Sequence, residues 1–219
     1  MKRRVRDADC SDLRLRETYR RSFISQVHTL IAEGHERLPR TDIGSMEEPA
    51  ITGELVRAIR QYQESSGAPA WCNRLAIHDD PPVNLPGRTG TRRPRVDIEV
   101  ERCGRGRRPR FQMEAKRLYS TRSAAEYTGD DGLGSFVAGR YAAGHTDAGM
   151  LGYAQCEQPA DWAKRIGEML SKRAHKLRLK GDTPWEPTAF DTRLQASYRS
   201  SHRRNHEDID VFHILLDCR

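Results

Sequence analysis

The sequence lacks the features that define several large protein classes. No apolar run approaches membrane-spanning length, so an integral membrane protein is not expected. The N-terminus, Met1-Lys2-Arg3-Arg4-Val5-Arg6, has no apolar stretch of the kind a secretory signal needs, and a cytoplasmic location is expected. The five cysteines (Cys10, Cys72, Cys103, Cys156, Cys218) are scattered, odd in number and without a C-x-x-C pair, which argues against a disulfide framework or a zinc knuckle. His202, His206, His213 and Cys218 lie near one another but match no usual zinc spacing, and surface or core histidines are the simpler reading. The G-x-x-x-x-G-K-[ST] signature of a phosphate-cradling loop is missing, as is any internal repeat. Lysine is also scarce, with six among the 38 basic residues, so a lysine in the middle of a strand is informative.

What is present fits one polar but foldable domain. The 219 residues suffice for a full core, with 36% hydrophobic and 32% charged residues. The net charge of +7 favours polyanionic partners, nucleic acid above all. Apolar residues at helical spacing predict helices over 12–34 (Leu15, Tyr19, Phe23, Val27), ended by Gly34, and over 48–64 (Ile51, Leu55, Ile59, Tyr62), with Pro49 in the first turn. Residues 71–78 read as a strand and 79–94 as a long loop rich in Pro, Gly and Arg. Further on, the pattern predicts a short helix near 135–141, a buried strand over 148–154, a helix over 160–177, and strands near 189–199 and 208–217. The glycine-dense stretch between Gly129 and Gly152 fits either tight packing or a loop that approaches a ligand. The order is that of an α/β protein, a mixed central sheet flanked by helices, with residues 1–45 as a helical extension and 46–219 as the core.

The most informative segment is a pair of alternating runs, Arg95-Val96-Asp97-Ile98-Glu99-Val100 and Phe111-Gln112-Met113-Glu114-Ala115-Lys116, joined by a Gly- and Arg-rich turn. They read as a hairpin with Val96, Ile98, Val100, Phe111, Met113 and Ala115 on one face and Asp97, Glu99, Gln112, Glu114 and Lys116 on the other. Like charges gathered on one patch repel unless something cationic neutralises them. Glu99, a step along that face, reads as solvated or supporting.

These residues resemble the signature of the PD-(D/E)XK nuclease superfamily, with its restriction-endonuclease-like core. Asp97 matches the first acid, preceded by Val96 where the pattern has proline, and Glu114-Ala115-Lys116 matches the second part. The likeness is tight over about 25 residues and loose elsewhere. It implies a metal-dependent nuclease using Mg²⁺ or Mn²⁺, held by Asp97, Glu114 and the Ala115 carbonyl. Lys116 would steady the attacking water or the developing phosphorane charge, and its ammonium is expected to lower the pKa of both acids. The family's helical glutamate would be Glu48, close to the apolar stripe of its helix, or Glu54 at the edge of that stripe; both stay open.

Nucleic acid, DNA in preference, is the implied partner, in restriction or anti-phage defence, as a homodimer or within a larger defence complex. Candidate phosphate contacts are Arg88, Arg92, Arg93, Arg105, Arg107, Arg108, Arg203 and Arg204. Two rivals stand beside this reading: a solvated sheet face with cross-strand ion pairs, and a nucleic-acid-binding module or subunit that is catalytically silent.

Overall fold

A computed structural model describes residues 3–39, 41–84, 87–104, 108–181 and 185–219, with side chains from residue 14 onward. Its centre is a seven-stranded mixed, open sheet. Chain order is α1 (Arg3–Glu36), α2 (Glu48–Glu64), β1 (Leu75–Asp79), β2 (Ile98–Arg102), β3 (Arg110–Leu118), α3 (Ser123–Tyr127), α4 (Leu133–Val137), β4 (Asp147–Ala154), α5 (Pro159–Lys172), β5 (Glu186–Pro187), β6 (Ser197–His202) and β7 (Ile209–Asp217). The strands lie in the order β1-β2-β3-β4-β7-β6-β5. β1, β2 and β3 form an antiparallel meander, while β4 runs parallel to both β3 and β7. No helix among the described residues is long and apolar enough to cross a membrane.

Alternation places two apolar cores on opposite faces of the sheet. Phe111, Met113 and Ala115 face α1 and α2, with Val27, Leu30, Ile31, Ile51, Leu55 and Ile59. Leu118, Met150 and Leu215 face α3, α4 and α5, with Tyr127, Phe136, Trp162 and Ile166. Gly34 does not end α1, which continues to Glu36. Its role is contact between helices: a Cβ there would sit 2.5 Å from Ile59 Cγ1. The glycine-dense stretch serves packing in the same way. A Cβ on Gly132 would lie 2.4 Å from the Tyr127 carbonyl oxygen, and one on Gly149 would lie 2.6 Å from Met113 Cγ.

Several predicted boundaries shift. The strand expected over 71–78 is shortened to Leu75–Asp79, because a 3₁₀ turn occupies Cys72–Arg74. The single short helix near 135–141 is replaced by α3 and α4. The helix expected to reach residue 177 stops at Lys172. The strand expected near 189–199 is instead the short β5 and β6, since Leu194 bonds back to Asp191 in a turn.

Both histidines of the C-terminal strands belong to a buried relay. The Nδ1 of His202 faces the Leu177 carbonyl at 2.7 Å, so it carries the proton and Nε2 accepts from Ser200 Oγ at 2.7 Å. Ser200 Oγ then accepts from His213 Nε2 at 2.8 Å, and His213 Nδ1 accepts from the Tyr127 hydroxyl at 3.1 Å. Each group is satisfied with both rings neutral. His28, also buried, makes one bond through Nδ1 to the Ile24 carbonyl at 2.8 Å, while its Nε2 has no partner.

Burial lowers His28 and His202 from 6.5 to about 4, and His213 well below 6.5. Between those limits the unfolded chain binds protons that the fold excludes. The stabilisation is therefore complete above 6.5 and is lost as pH falls towards 4. One such shift is worth on the order of 3 kcal/mol. Denaturant midpoints are expected to fall as pH is lowered through this window, and His28→Leu to make the fall shallower. Parallel profiles for variant and wild type would contradict a buried neutral His28.

Candidate active site

The site grows out of a mismatch in strand length. β2 pairs with β3 only as far as Ile98↔Met113, whereas β4 pairs with β3 from Met113 to Leu118. From residue 114 onward β3 therefore has a sheet neighbour on one side only. A strand residue points its N–H and C=O to the same side, so Ala115 and Arg117 present theirs to the open edge. Backbone donors so placed need partners. Asp97 Oδ2 accepts from the Ala115 N–H at 2.6 Å, and Glu48 Oε2 accepts from the Arg117 N–H at 3.0 Å.

Those two carboxylates bring the rest together. Asp97 lies one residue before β2 and, continuing the register, opposite Glu114. Glu48 opens α2, where Pro49 occupies the first turn. Lys116 Nζ bridges the acids, 2.8 Å from Glu114 Oε1 and 3.2 Å from Glu48 Oε1. Asp97, Glu114, Lys116 and Glu48 thus form one cluster. Glu54 is not part of it: it lies a turn and a half further along α2 and pairs with Arg57. Of the two helical candidates, Glu48 occupies the cluster.

Burial sets the electrostatics. It raises Glu114 to about 8, helped by the charge of Asp97 and opposed by Lys116. Asp97 is raised as well, by burial, with the Ala115 N–H and Lys116 opposing. Glu48 is raised by burial, with Lys116 opposing. Burial would lower Lys116, but Glu114, Glu48 and Asp97 outweigh it and carry the ammonium above its usual value. Lys116 lowers both acids, as expected, but one ammonium does not offset the burial of three enclosed carboxylates, and both acids end above their usual values.

Of the two readings of Glu99, solvated or supporting, only the second stands. It is buried, not solvated, and accepts from Gln112 Nε2 at 2.7 Å. Gln112 Oε1 in turn accepts from the Ala142 N–H at 2.7 Å, tying the segment after α4 to the strand that carries Glu114.

The basic candidates divide. Arg88, Arg92 and Arg203 are exposed. Arg93 bonds Asn84 at 2.8 Å, and Arg108 pairs with Glu101 at 3.0 Å. Arg204 is a correction: its side chain is 7% exposed and is used on the carbonyls of Ala142 (3.0 Å) and His145 (2.5 Å), so it is not a free phosphate contact. Arg105 and Arg107 lie outside the described residues.

Asp97, Glu114 and the Ala115 carbonyl, which faces the same edge, make a hard oxygen donor set. Among the described residues no three His, Cys, Asp or Glu side chains form a ready-made cage. Two carboxylates and a carbonyl leave further positions to water and substrate oxygens, which suits Mg²⁺. The cluster lies outside two cavities of about 560 and 440 Å³, which are lined by other residues. No family model, curated protein or solved structure matches the chain.

The cluster predicts unequal roles for the two glutamates of α2. Glu48→Ala leaves the Arg117 amide without its acceptor and removes one of the two acids bonded to Lys116, a loss of about 1–3 kcal/mol in unfolding free energy. Glu54→Ala removes one exposed pair and is expected to cost less than about 0.5 kcal/mol. Equal losses in urea denaturation would contradict the placement of Glu48.

Proposed function

We propose that this chain is a metal-dependent nuclease with a restriction-endonuclease-like core, acting on DNA in preference. The observation that carries the reading is the meeting of Asp97 and Glu114 at the open edge of β3, with Lys116 bonded to Glu114 and steadied by Glu48. The order of α2, the antiparallel β1–β3 meander, α3–α4 and β4 supports it, because the family that Asp97…Glu114-Ala115-Lys116 resembles typically runs helix, three antiparallel strands, helix, strand.

The chemistry follows from the residues. Asp97, Glu114 and the Ala115 carbonyl would hold Mg²⁺ or Mn²⁺. Such an ion supplies an activated water and neutralises charge on the phosphate. Lys116 stays charged and presents its ammonium beside the same acids, where it orients the attacking water and stabilises negative charge as it develops on the phosphate. Glu48 is a positioning residue: it anchors Lys116 and the Arg117 amide without being needed as a ligand. Arg88, Arg92 and Arg203 are the exposed cations left to contact the phosphate backbone.

A catalytically silent nucleic-acid-binding module is the second reading. It is favoured by one observation: Asp97 and Glu48 already serve the fold by capping strand amides. Cleavage separates the two. Purified protein is incubated with supercoiled plasmid, linear duplex and single-stranded RNA, with Mg²⁺, Mn²⁺ or EDTA. Asp97→Asn, Glu114→Gln and Lys116→Met are expected to lose metal-dependent cutting by about 100-fold or more while remaining folded. Cutting retained in all three would overturn the assignment; salt-sensitive binding without cutting would favour the silent module.

A further inference from the structure

One more polar side chain belongs to the face of the sheet that carries the cluster. Gln112, Glu114, Lys116 and Leu118 alternate onto one face of β3, and Leu118 is part of the core under α3, α4 and α5. Tyr141, in the segment after α4, packs against that same core, its ring edge-on to Phe136 with 5.5 Å between centroids. The next residue, Ala142, donates its N–H to Gln112 Oε1 at 2.7 Å. Gln112 and Glu114 are two residues apart on that face, about 7 Å along the strand. The segment that carries Tyr141 is thus pinned beside the acids. Ala142 is buried at φ 51°, a left-handed conformation that a residue with a Cβ keeps only where its surroundings impose it. They act from both sides: Gln112 takes the N–H, and Arg204 Nη1 donates to the carbonyl at 3.0 Å. None of these bonds uses the Tyr141 side chain. Among the described residues its hydroxyl makes no hydrogen bond, yet it is not one of the buried polar atoms left without a partner, so solvent reaches it. Half-burial, then the charges of Glu114 and Asp97, raise the phenol to about 12, with Lys116 and Arg140 opposing. It is therefore a neutral donor at neutral pH.

We propose that Tyr141 is a further catalytic residue of this site, its hydroxyl donating to a non-bridging oxygen of the phosphodiester while the clamp on Ala142 holds it in place. This rests on the nuclease reading above and deepens it. The substrate supplies the acceptor that the hydroxyl lacks in the free protein, and the bond strengthens as negative charge gathers on that oxygen. A phenol suits the position because it is uncharged. A cation there would compete with the metal for Glu114 and Asp97, whereas a neutral donor adds a bond to the phosphate and leaves the acids to the metal.

The test compares the full chain with Tyr141→Phe, which keeps the ring and its contact with Phe136 and removes only the hydroxyl. Cleavage of duplex DNA is followed in Mg²⁺, and binding of the same labelled duplex is read by fluorescence anisotropy in Ca²⁺, another hard cation that takes oxygen ligands. Tyr141→Phe is expected to lower kcat by about tenfold or more with a smaller change in KM, and to leave the thermal midpoint unmoved. A second substrate carries sulfur, a weak acceptor, in place of one non-bridging oxygen of each phosphate, in either configuration. In one configuration sulfur is expected to slow the wild type more than Tyr141→Phe, because the variant has no bond left to lose. A variant that is slower yet responds to sulfur as the wild type does in both configurations would assign Tyr141 to packing and overturn the proposal. If the wild type cuts and Tyr141→Phe matches it in rate, the nuclease reading stands and the role of Tyr141 fails. If the wild type never cuts but Tyr141→Phe weakens binding in Ca²⁺ by about threefold or more, the phosphate contact stands and the nuclease reading fails. No cutting together with equal binding would overturn both.

Discussion

An unpaired stretch of strand edge is the constraint on which the site depends. β3 outruns β2, and its Ala115 and Arg117 amides would otherwise face an enclosed region without acceptors. Carboxylates satisfy them. Asp97 arrives from the residue before β2 and Glu48 from the first turn of α2, so the bonds that complete the sheet also bring two acids beside Glu114. The same backbone requirement that stabilises the fold thus assembles the chemistry, and Lys116 is drawn in because three acids surround it.

That arrangement carries electrostatic tension. Enclosing Asp97, Glu114 and Glu48 raises all three, and Lys116 is one positive charge against them. A protein that used these groups only as structure would be served equally well by neutral acceptors, such as Asn or Gln, at the same amides. Carboxylates in their place are what a hard cation requires.

Much of this was legible in the residues. The alternation over 95–116 placed the six apolar residues correctly, and all are buried. The acid, acid-x-Lys spacing identified Asp97, Glu114 and Lys116 as neighbours, and helical periodicity marked the Ile51–Leu55–Ile59 stripe of α2. Other features depend on distances that a sequence does not contain. The choice between Glu48 and Glu54 turned on where α2 meets β3, and the length difference between β2 and β3 decided it. Arg204 looked like a surface cation because nothing in its neighbours announced that the Ala142 and His145 carbonyls would enclose it. Glu99 looked solvated because alternation reports the face of a strand and not what covers that face; here the segment around Ala142 covers it through Gln112.

The central claim is that Asp97 and Glu114 together hold a divalent cation. The most direct measurement is the thermal unfolding midpoint during titration with Mg²⁺ and with Mn²⁺, for the wild type and for the Asp97→Asn, Glu114→Gln double variant. Both substitutions keep the shape, and the Asn side-chain carbonyl can still accept from the Ala115 amide. A ligand that binds only the folded state raises its stability in proportion to the logarithm of occupancy. The account predicts a midpoint that climbs with metal concentration in the wild type and stays flat in the double variant. Identical responses in the two proteins would contradict it.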